Sequence, residues 1–524
     1  MNQEPSTPDH EAHASEAGGT TATDWGLLVS TALVGTARRT VPTPPGLPER
    51  SERAAALLDL SAVETVRARA GYVAHTATPI DPDPAVPRSE IGAAAAHRLD
   101  VILADRPELL AEWLDLLVRS GRCVPRTRIP DLLERAARDR KQWSTVAAAV
   151  GTRGVWLAGV NTRWSFITAE PMPGDTFDQE DWGRGTPEQR RRGLFALRAQ
   201  DPAAGRDLVQ AAWPHSGRGE VRRGFLEALE PTLESEDEPL LDHALDDGNA
   251  SVRGRALSLL ARLPDGAHAH RLRGHLRLRL RVVPDAPNPV HLENVDPDDP
   301  RLLRDLALAA AKNKPRSKDP RRHDEQRERH QILITHTPLD VWTELLDTTP
   351  DQVLSRVAED DLLREAIVDA VGLRGDAAWA RAVLDHPTIG LARMVGGSVH
   401  DLQRQRIRQL LAALPVDERC ERIRAVMGRT KGTTTLCQVL TALDTRWSRE
   451  LAADVVEVLS RPTERRSPMA MHSHQRLRVI AAEYMPPEHL DLLPETSPNE
   501  EEAHEHLRLR DTLRFRLDMH KELS

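Results

Sequence analysis

Arg192-Gly193-Leu194-Phe195-Ala196-Leu197 returns, with small changes, as Arg223-Gly224-Phe225-Leu226-Glu227-Ala228-Leu229 and as Arg253-Gly254-Arg255-Ala256-Leu257-Ser258-Leu259-Leu260. The glycines are 31 and then 30 residues apart, a period that accommodates two short helices and a turn. Inside one unit, Pro239, Leu240, Leu241, Ala244 and Leu245 make a short apolar helix and Asp246-Asp247-Gly248-Asn249 breaks it. Ser251 is placed to cap the next helix, which carries Val252, Ala256, Leu259, Leu260 and Leu263 on one face. Each leucine so placed contributes about 1.5–3 kcal/mol once covered, and only a neighbouring unit can cover it. The pattern predicts an all-α fold, an α-solenoid of stacked helical pairs.

Composition agrees. Of 524 residues only 3 % are aromatic, and Ala, Leu, Arg and Glu, which lose little side-chain entropy in a helix, dominate. A β-sandwich or barrel would lack its usual side chains. With 71 Lys and Arg against 80 Asp and Glu, the formal net charge is −9, which disfavours a globally basic nucleic-acid binder while leaving room for local basic faces. Cys123, Cys420 and Cys437 stand far apart without a CxxC, so neither a zinc ribbon nor a disulfide framework is expected and a reducing cytoplasm fits. No run of about 18 apolar residues is present, so no membrane span is expected.

Outward from the repeats, residues 1–22 have no apolar core and no basic start, unlike a secretory signal, and are expected to be a disordered tail. An N-terminal helical region is expected over 23–150, opening with Trp25, Leu27, Leu28, Ala32 and Leu33 on one face behind Thr23, with further helices near 50–70, 88–105, 107–119 and 131–148. Residues 151–185 hold Trp156, Trp164, Phe166, Phe177 and Trp182 among Gly, Pro and Asp. They are expected to form an irregular plug, since one Trp lets a loop bury a large area. The repeats occupy 186–283. Residues 284–330 are rich in Pro and charge and are expected to be a loop or linker, which can divide the solenoid into two halves. Helices resume over 331–495 (near 339–347, 350–358, 360–370, 375–385, 399–413, 416–427 and 446–460), and 496–524 form a C-terminal segment.

The stretch DHALDDGNASVRGRALSLLARL resembles a HEAT repeat: a first helix, an Asp-rich turn, then Val-Arg opening the second helix. That resemblance implies a ladder between successive units, carried here by Asp247 and Arg253, with Arg222 in the preceding unit. It covers about ninety residues and is specific for fold rather than function. The order of TALVGTARRTVP, GTRGVWLAGVNTRW, the repeats, THTPLDVW and HPTIGLARMV also resembles an uncharacterised bacterial family with HEAT-like helical repeats, for which no activity and no site residues are implied.

No catalytic constellation stands out. GRTKGTTT at 428–435 lacks the phosphate-loop order, since Lys431 precedes Gly432, and reads as a helix terminus. His268, His270 and His275, and His472 with His474, do not match a zinc spacing, so no metal or other cofactor is expected; Met469 to His474 reads as a surface loop. Asp296, Asp298 and Asp299 invite a magnesium reading, while Glu359, Asp360 and Asp361 fall where a helix starts and suit its dipole. In HRLRGHLRLRLRVV, Arg273, Arg277 and Arg281 form a four-residue stripe beside Leu272, Leu276 and Leu280. Its bland reading is pairing with local carboxylates; its functional one is contact with an acidic partner. HLRLRDTLRFRLDM near the end admits helix or strand.

The expected function is a scaffold or adaptor binding a protein partner, with Arg273, Arg277, Arg281, Trp156, Trp164 and Trp182 as candidate contacts. The rival is nucleic-acid binding through those arginines and the run containing Lys312, Lys314, Arg316, Lys318, Arg321 and Arg322. A third reading is an enzyme whose pocket lies at the three tryptophans.

Overall fold

The computed structural model describes residues 21–41, 50–70, 88–283, 289–294, 299–308, 320–396, 400–429, 432–461, 468–496 and 503–524. They are overwhelmingly helical and divide into two units, residues 1–82 and 83–524.

The first unit is a helical hairpin of α1 (Thr21–Val34) and α2 (Arg53–Ala70). Its small core is Leu28, Val41 and Leu60. The face expected to be buried is split: Leu28 points inward, whereas Trp25 and Leu33 are exposed.

In the second unit, α3 (Ala93–Asp105), α4 (Leu110–Arg119), α5 (Ile129–Ala136) and α6 (Trp143–Val160) surround one core. On α4, Leu110, Trp113, Leu114 and Leu117 are buried at helical spacing. The expected helix over 131–148 is in fact two, because Asp139 ends the first and caps a 3-10 turn that leads into α6. α6 breaks at Gly151, whose φ of 59° and ψ of −152° only glycine adopts readily, and then continues. The expected irregular plug is therefore helical to Val160, then a 3-10 segment over Thr162–Ala169 and α7 (Gln179–Arg184).

The repeats follow as α8 (Pro187–Gln200), α9 (Pro202–Ala212), α10 (Gly219–Leu229), α11 (Glu238–Ala244) and α12 (Ala250–Leu260). The helices carrying the three repeated motifs, α8, α10 and α12, pack in series over a second core. Thr186 starts α8 with a capping box: its hydroxyl accepts from the Gln189 amide, and the Gln189 side chain accepts from the Thr186 amide. Asn249 rather than Ser251 caps α12, accepting from the Ser251 amide at 2.8 Å.

α13 (Ala267–Arg279) stops where Leu280–Val282 (β1) pairs antiparallel with Val290–Leu292 (β2), so Arg281 lies on a strand and the helical stripe does not continue to it. α14 (Pro300–Asp305) is capped by Asp299, and α15 (Pro320–His336) follows. The expected linker at 284–330 thus contributes Val290, Leu302 and Leu306 to a third core, which runs from Leu272 to Leu513. These apolar side chains, sparse among Pro and Asp, outweigh the charged composition around them. The remaining helices are α16 (Asp340–Leu346), α17 (Pro350–Val357), α18 (Asp361–Arg374), α19 (Ala377–Asp385), α20 (Leu391–Met394), α21 (Asp401–Ala412), α22 (Val416–Met427), α23 (Thr433–Leu440), α24 (Arg449–Ser460), α25 (Pro468–Tyr484) and α26 (Ala503–Leu523). The supposed Met-His loop is part of α25, because Ser473, His474, Leu477, Arg478 and Ala481 turn inward at helical spacing.

Packing within this unit forms a closed circuit. α4 packs on α6, α6 on the 3-10 segment, that segment on α8, and α8 through α10 on α12. The Glu238 carboxylate on α11 accepts from the His268 amide on α13 at 2.7 Å. α13 then packs on α15, and the series runs through α18, α21, α23 and α25 to α26, which returns to α3 and α4.

Candidate functional site

α26 closes the circuit with two sets of side chains. Leu509 and Leu513 enter the third core, and Met519 and Leu523 enter the first. Between them Arg516, 1 % exposed, donates from Nε and Nη2 to the Glu112 carboxylate of α4 at 2.6 and 2.9 Å. Its Nη1 donates to the Ala482 and Met485 carbonyls, both at 2.7 Å. His520 reaches the same carboxylate at 2.8 Å and Arg446 at 3.4 Å. Burial by itself would raise the Glu112 carboxyl, but hydrogen bonds and charge from His520 and Arg516 outweigh it and hold the pKa at about 2. Beside this clasp, Arg98 grips Glu522 in a bidentate pair, both distances 2.6 Å, and Arg106 pairs with Asp511. The two guanidiniums lie 4.5 and 4.8 Å from the centre of the Phe515 ring.

Next to the clasp lies a cleft of about 760 Å³ bounded by α4, α25, α26 and the turn at Asp444–Arg446. Leu109, Ala111, Val479, Ala482, Tyr484 and Leu509 give it apolar and aromatic surface. Seven carboxylates line it against four arginines. Glu112 is neutralised by the clasp and Glu505 pairs with Arg508, whereas Asp105, Glu108 and Asp444 have no ion-pair partner among the described residues. The cleft therefore suits a ligand that is cationic and partly apolar.

A second cavity, about 870 Å³, lies among α18, α20 and α21. Its charges largely compensate one another: Arg364 pairs with Asp361, and Arg406 with Asp369 and Glu365.

The sequence-proposed contacts are held in internal structure. Arg273 is buried and forks onto Asp340, with Nε at 3.0 Å and Nη2 at 2.5 Å, and donates to the Pro264 carbonyl at 2.8 Å. Arg277 pairs with Glu344, and Arg281 with Glu293 across the β-hairpin. Trp164 is buried in the first core and donates from Nε1 to Glu134 at 3.0 Å, Trp182 stacks obliquely on Phe225 of the second core, and Trp156 is half-buried on α6. The three tryptophans thus serve separate contacts. Lys312, Lys314, Arg316 and Lys318 lie outside the described residues, as do Asp296, Asp298, Lys431 and the side chains of Arg321 and Arg322.

Asp247 takes Arg222 of the preceding unit in a fork, 2.5 and 3.1 Å, while Arg253 donates to the Asp247 carbonyl at 2.8 Å and to the Ala307 carbonyl at 3.1 Å. His268 donates to the Asp305 carbonyl and His275 bonds the Asp305 carboxylate; among the described residues no group of three potential ligands is placed to hold a metal ion. All three cysteines are buried thiols, and burial pushes Cys437 up to about 11, which removes it as a nucleophile. Among the described residues, no helix is long and apolar enough to cross a membrane.

Sequence reasoning did not single out Glu112, Arg516 or the cleft. The available signal was the spacing Leu509, Leu513, Arg516, Met519, Leu523, which puts one arginine on an otherwise apolar stripe.

No curated protein and no solved structure matches the chain. Residues 27–523 match a family of unknown function, DUF5691, and the chain belongs to that family.

Proposed function

We propose that the chain is a non-catalytic helical-repeat scaffold of HEAT-like pairs that binds a protein partner in the cytoplasm, and that the partner presents a basic, partly apolar segment to the cleft beside the clasp. The observation that carries this reading is the excess of carboxylates over arginines on a partly apolar lining, with Asp105, Glu108 and Asp444 left without ion pairs among the described residues. Such a surface attracts a Lys/Arg-bearing peptide and repels phosphate. The nucleic-acid alternative loses support because Arg273, Arg277 and Arg281 already hold carboxylates of this chain. Buried thiols are compatible with a reducing compartment.

The test is crosslinking in native cell extract, with and without nuclease, using the wild-type chain and a Glu108→Lys/Asp444→Lys variant. A stoichiometric protein should survive nuclease and be lost with the variant. Recovery that needs nucleic acid, or that ignores the charge reversal, would overturn the assignment.

A further inference from the structure

The carboxylates of the cleft beside the clasp that lack ion pairs among the described residues fall into two groups. Asp105 and Glu108 stand where α3 gives way to α4, and Asp444 and Glu483 stand beside Tyr484, the last residue of α25. Tyr484 lines the cleft half-buried. Trp447, 2 % exposed, lies parallel to it, the ring centroids 6.5 Å and the planes 13° apart, and the Trp447 amide donates to the Tyr484 carbonyl at 3.4 Å. The ring is thus held in place before any ligand arrives. Burial and the negative charge of Glu483 and Asp444 push the Tyr484 hydroxyl up, so the phenol stays neutral. Arg408 also acts on Tyr484, but its guanidinium donates to the Thr441 carbonyl at 3.1 Å and, among the described residues, pairs with neither carboxylate. One helical turn back from Glu483 is Val479, 60 % exposed in the cleft wall.

We infer that the segment entering the cleft is anchored by an arginine whose guanidinium lies on the Tyr484 ring beside Asp444 and Glu483, with an apolar neighbour against Val479. The inference rests on the partner-binding reading above and names the chemistry of that partner. A guanidinium is planar and weakly hydrated: it offers its face to an aromatic ring and its edge N–H groups to carboxylates at the same time. An ammonium is a compact, strongly hydrated point charge and cannot present a face and a fork together. The chain uses the same combination internally, since Arg98 and Arg106 lie 4.5 and 4.8 Å from the Phe515 ring centre while they hold Glu522 and Asp511. The cleft, about 760 Å³, falls within the range of roughly 300–1,000 Å³ typical of sites that enclose a small ligand. It therefore takes a short linear segment and not the face of a folded domain.

Selection from a random octapeptide library on the immobilised full-length chain tests this. Recovered peptides should carry arginine about tenfold more often than lysine, next to an aliphatic residue. Against the strongest of them, an Asp444→Asn/Glu483→Gln variant should bind about tenfold more weakly, and both positions are exposed, so the fold is kept. Tyr484→Leu should erase the preference for that peptide over its lysine-substituted copy; the carboxylate variant decides the matter even where loss of the ring beside Trp447 harms folding. Equal enrichment of lysine overturns the arginine anchor and leaves the basic-segment reading standing. Arginine peptides indifferent to Asp444→Asn/Glu483→Gln overturn the anchor by locating their site elsewhere. Recovery with no preference for cations overturns both readings together.

Discussion

Arg198 is 1 % exposed inside the repeats and makes contacts that an apolar side chain would not. Its guanidinium forks onto the fully buried Asp237 at 3.0 and 2.8 Å and reaches the Pro202 and Thr232 carbonyls at 2.6 and 2.5 Å. Gly205 makes room for it, since a Cβ there would sit 2.5 Å from the Arg198 Cδ. Without Arg198 the buried Asp237 keeps Arg206 at 3.2 Å and the Glu234 amide at 3.0 Å but loses its bidentate partner. Arg198→Ala is expected to cost about 2–4 kcal/mol and Arg222→Ala, which releases the 4 %-exposed Asp247, about 1–3 kcal/mol, both read by urea unfolding. A loss below about 0.5 kcal/mol for Arg198→Ala would show the pair to be idle. Arg222, Asp247 and Arg253 could be nominated from sequence because the HEAT resemblance carries them. Arg198 and Arg516 could not, because arginine is abundant in this chain and only the register of the helix decides which one turns inward.

Among elements, α6 carries the clearest local instruction. Gly151 takes a backbone conformation closed to other residues, and an added Cβ would meet the Arg88 Nη2 at 3.0 Å. Gly151→Ala should therefore lower stability by about 1–3 kcal/mol, while Thr152→Ala on the exposed neighbouring position should stay within about 0.5 kcal/mol; equal melting temperatures for the two would remove the strain argument. The sequence reading begins an irregular segment at this residue, whereas the helix resumes after the kink and runs to Val160. Glycines at 151, 154 and 159 weaken the intrinsic case for helix, but Arg153 and Ala158 are buried against their neighbours, and packing overrides propensity. The same holds at α25, where Met and His residues suggested a loop until burial of Leu477 and Ala481 settled a helix. Seven helices from 340 to 460 were legible to within about four residues, because Pro, Asp and Gly punctuate them, whereas α20 and α23 were not expected. The cleft was not, since it is assembled from segments more than 300 residues apart.

At the scale of the whole second unit, the clasp gives a pH dependence whose sign is determined. Glu112 has its pKa lowered from 4.5 to about 2 by its partners, so the unfolded chain takes up the proton first as the pH falls. The stabilisation is complete above about pH 4.5 and fades toward pH 2, and a difference of that size corresponds to about 3 kcal/mol. Glu112→Gln should lower the melting temperature at pH 7 and flatten its decline between pH 4.5 and 2; parallel profiles for the two proteins would place the acid sensitivity elsewhere. The closure was hidden in the sequence because a repeat pattern describes neighbours and does not say whether the last meets the first. Its consequence is mechanical. Arg98 holds Glu522 and Glu112 holds Arg516, so the backbone enters and leaves this unit at one place. Tension applied between those two points does not travel round the helices in series; it shears a single buckle, and the many helix interfaces behind it stay slack until that buckle gives way.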